Sequence, residues 1–266
     1  MTAKKNEVAT TNNENQLSFN LGDFDEFRTG KGEEIIGLEA IDRSDIKLPK
    51  IKLIQSTSVE AQKGKCPAGH FFNVVTGETY PELRCKLLVL GKSRVMWKKP
   101  FKRGEEPLCR SFDGVLKFDG TKKCANCQYQ SWDNIAEGDN KPACNMSYVW
   151  LGLDENKKPF RLIASGASVA PTKNFLNKIL PNKLPPFVYN VIIRTEQKEN
   201  ESGIFYVMTY EIDDKNPTIA KEDFMPLKEL AEGMRDMFMT ANQIDSENIV
   251  EDADMAMEAE KEGGLF

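Results

Sequence analysis

Residues 148–165 read Y-V-W-L-G-L-D-E-N-K-K-P-F-R-L-I-A-S, two apolar runs separated by the charged segment D-E-N-K-K. Side chains alternate across a strand, so Tyr148 and Trp150 share one face and Phe160 and Leu162 share one face, and the polar segment between the runs predicts a hairpin with an exposed tip. Directly after it, S-V-A-P-T-K-N-F-L-N-K-I-L places Phe175, Leu176, Ile179 and Leu180 at helical spacing, and Pro181 stops the helix. A hairpin that feeds one short helix constrains what the neighbouring segments can be.

Working outward, the flanks are also strand-like. Upstream, I-K-L-I-Q-S from Ile51 alternates at period two, H-F-F-N-V-V from His70 ends at a T-G-E turn, and C-K-L-L-V-L-G-K-S-R-V-M-W-K-K from Cys85 is a long run expected to bend at Gly91. Downstream come F-V-Y-N-V-I-I-R-T-E-Q-K and I-F-Y-V-M-T-Y-E-I, joined by E-N-E-S-G. Strands with a single helix between them predict a mainly β fold, a barrel of the oligonucleotide-binding type. Cys85 alternates with Leu87 and Val89 and is expected in its core. A second helix is expected from Thr218 to Ile244, with Phe224, Leu227, Leu230, Met234, Met237, Phe238 and Ala241 recurring at three and four. The organisation predicted is an N-terminal arm over 1–44, a barrel over 45–215 with an insertion at 109–144, a C-terminal amphipathic helix over 216–244 and an acidic tail over 245–266.

The insertion contains Cys109, Cys124, Cys127 and Cys144, a C-x14-C-x2-C-x16-C pattern in turn-forming sequence. Four thiols with one two-residue spacer suit a closed tetrahedral Zn²⁺ site, because one knuckle of backbone can aim two sulfurs at the same ion. The loop is also too poor in apolar side chains to hold itself by burial. Free structural cysteines are the alternative. A redox dithiol would normally open a helix after a strand, whereas here Pro, Gly and Asn surround the C-A-N-C, and a disulfide needs an oxidising compartment for which the N-terminus offers no apolar leader. Cys66 and His70 stand at metal-compatible spacing, but the P-A-G between them reads as a turn.

The net charge of −5 conceals segregation. Residues 1–41 hold 4 basic and 8 acidic side chains, residues 42–210 hold 27 and 17, and residues 211–266 hold 5 and 16. A basic body carrying aromatics beside Lys and Arg is the composition that holds single-stranded nucleic acid, with bases stacked on rings and cations along the phosphates. Candidate contacts are Lys50, Lys52, Trp97, Lys98, Lys99, Phe101, Lys102, Arg103, Tyr148, Trp150, Phe160, Arg161, Arg194 and Tyr206, with Trp97 foremost because charges surround it; Trp132 is assigned to cover the cysteine site. The tail has 8 acids and one Lys before its closing G-G-L-F, and Leu265 and Phe266 with the terminal carboxylate suit a basic pocket with an apolar floor.

Other chemistry is less well supported. G-K at residues 30–31 lacks the upstream glycine of a phosphate-binding loop. Glu196-Gln197-Lys198 has the E-x-K spacing of metal-dependent nucleases, but no aspartate occurs between Asp154 and Glu196 to complete a cation site. No catalytic role is therefore expected. A zinc-ribbon adaptor in transcription or recombination is the alternative to nucleic-acid binding, and a nuclease comes after it.

The segments L-P-K-I-K-L, P-A-G-H-F, C-R-S-F-D-G and C-A-N-C followed by K-P-A-C, with the acidic tail ending in Leu-Phe, resemble the single-stranded DNA-binding proteins that bacteriophages encode. The resemblance implies an oligonucleotide-binding barrel with zinc in an inserted subdomain, coating and protection of single strands during replication or recombination, and self-association on DNA. It further implies recruitment of a polymerase, primase or helicase through the tail, and residence in the host cytoplasm, away from membranes.

Overall fold

A computed structural model describes residues 48–98, 107–111, 113–117, 123–131, 133, 135, 142–200 and 203–244, with side chains described as far as residue 235. All of these belong to the unit Lys47–Phe266. The expected N-terminal arm and acidic tail lie outside the described residues.

Among the described residues nine strands form one sheet: β1 (Lys50–Leu53), β2 (Phe71–Asn73), β3 (Thr79–Tyr80), β4 (Leu83–Met96), β5 (Cys109–Ser111), β6 (Cys144–Asp154), β7 (Pro159–Ala164), β8 (Asn190–Asn200) and β9 (Gly203–Ile212). The helices are a single turn α1 (Val59–Gln62), α2 (Val169–Ile179) and α3 (Phe224–Ile244). The order across the sheet is β3-β2-β1-β7-β6-β4-β8-β9, with β5 added to the distal end of β4. The fold is mainly β, a strongly curled half-barrel. Its central order β7-β6-β4-β8-β9, with α2 between β7 and β8, is that of an oligonucleotide-binding barrel.

The hairpin that set the expectation is β6–β7. Asp154 fixes its tip by accepting hydrogen bonds at Oδ1 from the backbone N–H of Asn156 and Lys158, at 2.9 and 2.8 Å. Gly152 is required where Phe160 crosses it: a Cβ there would lie 2.8 Å from the Phe160 ring and 2.6 Å from the Lys86 carbonyl oxygen. Trp150, Phe160 and Leu162 point inward with Ile51, Phe71, Leu87, Val191 and Ile193 to form the main core. α2 closes one end, with Phe175 stacked on Tyr210 at 5.3 Å and edge-on to Trp150 at 6.5 Å.

The curl is completed by side chains. β1 lies parallel to β7, and the Gln55 amide substitutes for a strand against β9, donating from Nε2 to the Tyr206 carbonyl and accepting the Tyr206 N–H at Oε1, both at 2.8 Å. The Ser168 hydroxyl oxygen accepts the Met208 N–H in the same way. These bonds satisfy the edge of β9 that has no strand partner.

β4 departs from expectation in one respect. The irregularity is a bulge between Leu87 and Val89, not a bend at Gly91, which stays in register with Val149. One extra residue flips parity, so Leu88 and Val89 both lie on the outer face with Val149, Leu151, Leu153 and Ile163, and Leu90 resumes the inner face. α3 covers that outer face through Ala231 and Met234, with Phe224 tilted on Phe187 at 5.5 Å. The predicted second helix is therefore the outer lid of the sheet, starting at Phe224 rather than Thr218.

Candidate nucleic-acid interface and cysteine cluster

Beyond Leu90 and Trp150 the strands β4 and β6 run out of the core, and the register decides what their inner face carries there. Leu90 faces Trp150, Lys92 faces Tyr148, Arg94 faces Met146, and Met96 faces Cys144. The row thus passes from apolar to basic to sulfur within four pairs. Lys92 is exposed, and its Nζ stands 5.9 Å over the Tyr148 ring.

The insertion folds against this end. Asp113 Oδ1 accepts from the Ser111 hydroxyl and from the backbone N–H of Val115 and Leu116, which makes a tight turn, and these bonds hold its carboxyl below the ordinary range in spite of partial burial. Gly114 at φ +69° lies on the Lys92 stem, where a Cβ would meet the Lys92 Cβ at 2.8 Å. The Cys124 N–H donates to the Val115 carbonyl at 2.7 Å, and the Cys127 N–H closes a 3₁₀ turn on the Cys124 carbonyl at 3.0 Å. The C-A-N-C is accordingly a knuckle pinned to the hairpin beside it. Among the described residues between 92 and 131, Lys92, Arg94, Lys98, Arg110, Lys117 and Lys123 oppose a single carboxylate, Asp113.

β5 and β6 flank β4 so that Cys109 and Cys144 stand on either side of Met96. Burial pushes the Cys144 thiol up to about 11; the Arg94 guanidinium pulls it down, and Cys127 and Cys109 push it further up. Cys127 and Cys109 therefore each lie within electrostatic reach of Cys144, and Cys124 is buried. Among the described residues no three His, Cys, Asp or Glu side chains converge closely enough to ligate a metal. The donor set matches zinc in kind, with thiols from two strands and one knuckle. Cys66 is apart from them: its sulfur points at the Phe71 carbonyl, and the P-A-G is the expected turn, closed by the His70 N–H on the Pro67 carbonyl.

Several expected contacts need correction. Trp150, Phe160 and Tyr148 are core residues at 0%, 1% and 5% exposure, so no ring face is open to a base. Both candidate sets on the hairpin point inward. Trp97 is buried at 6%, despite the charges that follow it. Lys50 is buried, and Lys52 is tied to Glu60 at 2.8 Å. Arg194 is bonded to Glu82 and Glu211, and Tyr206 has its backbone in the Gln55 clamp and its ring against Gly69. Arg161 is half-buried beside β1. Lys98 is exposed as expected. Lys99, Phe101, Lys102, Arg103, Trp132, Leu265 and Phe266 lie outside the described residues. Lys92, Arg94, Arg110, Lys117 and Lys123 were not anticipated; the spacing Leu90-x-Lys92-x-Arg94 was the signal for the first two.

A family model described as Pam3 phage gp34-like protein matches residues 18–241. The chain belongs to this family. No curated protein and no solved structure matches it. As a gp34-like protein it is a bacteriophage protein, and the matched span includes the sheet, the cysteine insertion and most of α3 but stops short of the tail at 245–266. Among the described residues of this gp34-like chain no helix is long and apolar enough to cross a membrane.

Proposed function

We propose that this phage protein binds single-stranded DNA during replication or recombination in the host cytoplasm, along the distal inner face of β4 and β6 and the cysteine insertion. The observation that carries the reading is the change of that face from core to cations on a barrel-type sheet: Lys92 and Arg94 continue the row of Leu90, Lys98 follows β4, and Lys117 and Lys123 lie in the insertion, while Arg110 pairs with Val95 on the other face. Such a strip follows a phosphate chain without reading sequence. The outer face of β6 and β7 is a poorer candidate because α3 covers it. Cys109, Cys124, Cys127 and Cys144 would hold zinc and so fix the insertion against the strip. The acidic segment 245–266, with Leu265 and Phe266, is the proposed recruiting element for a polymerase, primase or helicase, and copies of the chain would assemble along the strand.

The role is one of binding, without catalysis. The E-x-K pair of Glu196 and Lys198 stands 3.7 Å apart on an exposed strand, and Asp154 is occupied by its turn, which favours binding over hydrolysis. Titration of fluorescent single-stranded DNA, duplex and RNA at several salt concentrations tests the proposal. Tight, salt-sensitive and sequence-tolerant binding to single strands is expected. A zinc-loaded protein with no affinity for any of the three would favour the adaptor instead.

A further inference from the structure

We propose, resting on the single-strand reading above, that Tyr129 of the insertion is a residue on which a base of the bound strand stacks. Cations alone hold phosphates, and a sequence-tolerant binder gains further affinity from ring faces open to the bases. The sheet offers none of the expected ones, since Tyr148, Trp150 and Phe160 are core and Trp97 is buried. Among the described residues every other aromatic side chain is buried or half-buried, whereas Tyr129 is 47% exposed.

The backbone beneath this ring is braced. Tyr129 is the middle residue of the 3₁₀ turn Gln128–Gln130, which follows Cys127 directly and packs against β6. The Gln130 N–H donates to the Cys127 carbonyl and the Ser131 N–H to the Gln128 carbonyl, both at 3.3 Å, and Gln130 Nε2 reaches back to the Ala125 carbonyl at 2.8 Å. A ring carried on a fixed turn loses little freedom when a base settles on it. Its surroundings suit a nucleotide. The adjoining hairpin exposes Val115 and Leu116, pairs Leu116 with Lys123, and rests on the Lys92 stem at Gly114. The Cys124 N–H on the Val115 carbonyl ties this hairpin to the segment that carries Tyr129. Apolar surface beside lysines matches a ligand with a flat apolar face and an anionic backbone. The described carboxylates of the insertion are engaged locally, Asp113 with Ser111 and two backbone N–H groups and Asp133 with Ser131 at 3.1 Å.

The test uses the full chain with a fluorescent oligothymidine strand and a strand of equal length whose sugars carry no bases. On oligothymidine, Tyr129→Ala should bind about 5–150-fold more weakly than wild type, with an unchanged slope of log affinity against log salt because no phosphate contact is lost. On the abasic strand the two proteins should bind alike. Tyr129→Phe, which keeps the ring, should match wild type on both strands. Wild-type affinity in Y129A, an equal loss on both strands, or a loss in Y129F as large as that in Y129A overturns the inference. If a urea titration shows that Y129A does not fold, Tyr129→Leu takes its place under the same criteria. Wild type that binds neither strand overturns the single-strand reading and this inference together, whereas wild type that binds oligothymidine, with any of the overturning results in the variants, overturns the inference alone.

Discussion

The two halves of β4 pair with the same strand, β6, across a single bulge, yet have opposite fates. From Leu83 to Leu90 the inner face is sealed by Trp150, Phe160 and α2; from Lys92 to Met96 the same face carries cations and meets the cysteine insertion. Hydrogen bonding does not distinguish the halves, since the ladder is continuous from Val89 to Met96. The side chains distinguish them. Where Leu87 and Trp150 stand, burial of apolar area drives closure, and where Lys92 stands, the cost of burying charge keeps its ammonium exposed. One strand pair thus serves as both wall and shelf.

Substitutions should act differently on the two halves. The largest effect is expected in the wall: Trp150→Ala should cost about 3–5 kcal/mol of stability in a urea titration, and binding should fail because the sheet fails. On the shelf, Cys124→Ser with Cys127→Ser should remove metal and loosen 109–144 to proteolysis while the urea midpoint of the barrel changes little; a matching collapse of the whole protein would erase the distinction. Trp97→Ala should loosen the same insertion, because the residue is buried at its base, and intact proteolytic resistance with selective loss of DNA affinity would restore it as a stacking residue.

A smaller effect concerns the tail. Deleting residues 245–266 removes 8 acidic side chains and one Lys, so single-strand binding should tighten near 0.01 M salt, where the Debye length is about 30 Å, and the gain should shrink as salt is added. The smallest is a pH effect in the wall. Burial raises the Tyr210 phenol to about 12 from its usual 10, so stability is full below pH 10 and falls as the pH rises toward 12, because only the unfolded chain ionises freely there. Tyr210→Phe loses the 3.0 Å bond to Thr172 but should flatten this alkaline decline.

Alternation made most of the wall legible. The hairpin, α2 and the last strand pair fall where apolar spacing puts them. Which face is inner does not follow from alternation: Tyr148 and Trp150 satisfy the period equally well as core or as stacking platform, and only α2 and β1 arriving from elsewhere decide it. The bulge at Leu87/Val89 was invisible, because one extra residue in an unbroken apolar run leaves no gap in the pattern. The shelf was harder to read because it is built from distant segments. Cys109 and Cys144 are 35 positions apart but flank a common residue, Met96, and no spacing rule connects them to Arg94. The dense run of residues 97–103 has the composition of a binding strip, whereas the quieter Leu90-x-Lys92-x-Arg94 marks the point at which the inner face changes from apolar to basic.

The most direct test of the account is the salt dependence of single-stranded DNA affinity for wild type and for a variant combining Lys92→Glu, Lys98→Glu and Lys123→Glu, three exposed positions of the shelf. Each phosphate that the variant no longer neutralises should lower the slope of log affinity against log salt by about 0.7, so the triple variant should bind far more weakly with a slope shallower by about 2, at an unchanged urea midpoint. Wild-type affinity and slope in a folded triple variant would contradict the placement of the DNA on this face.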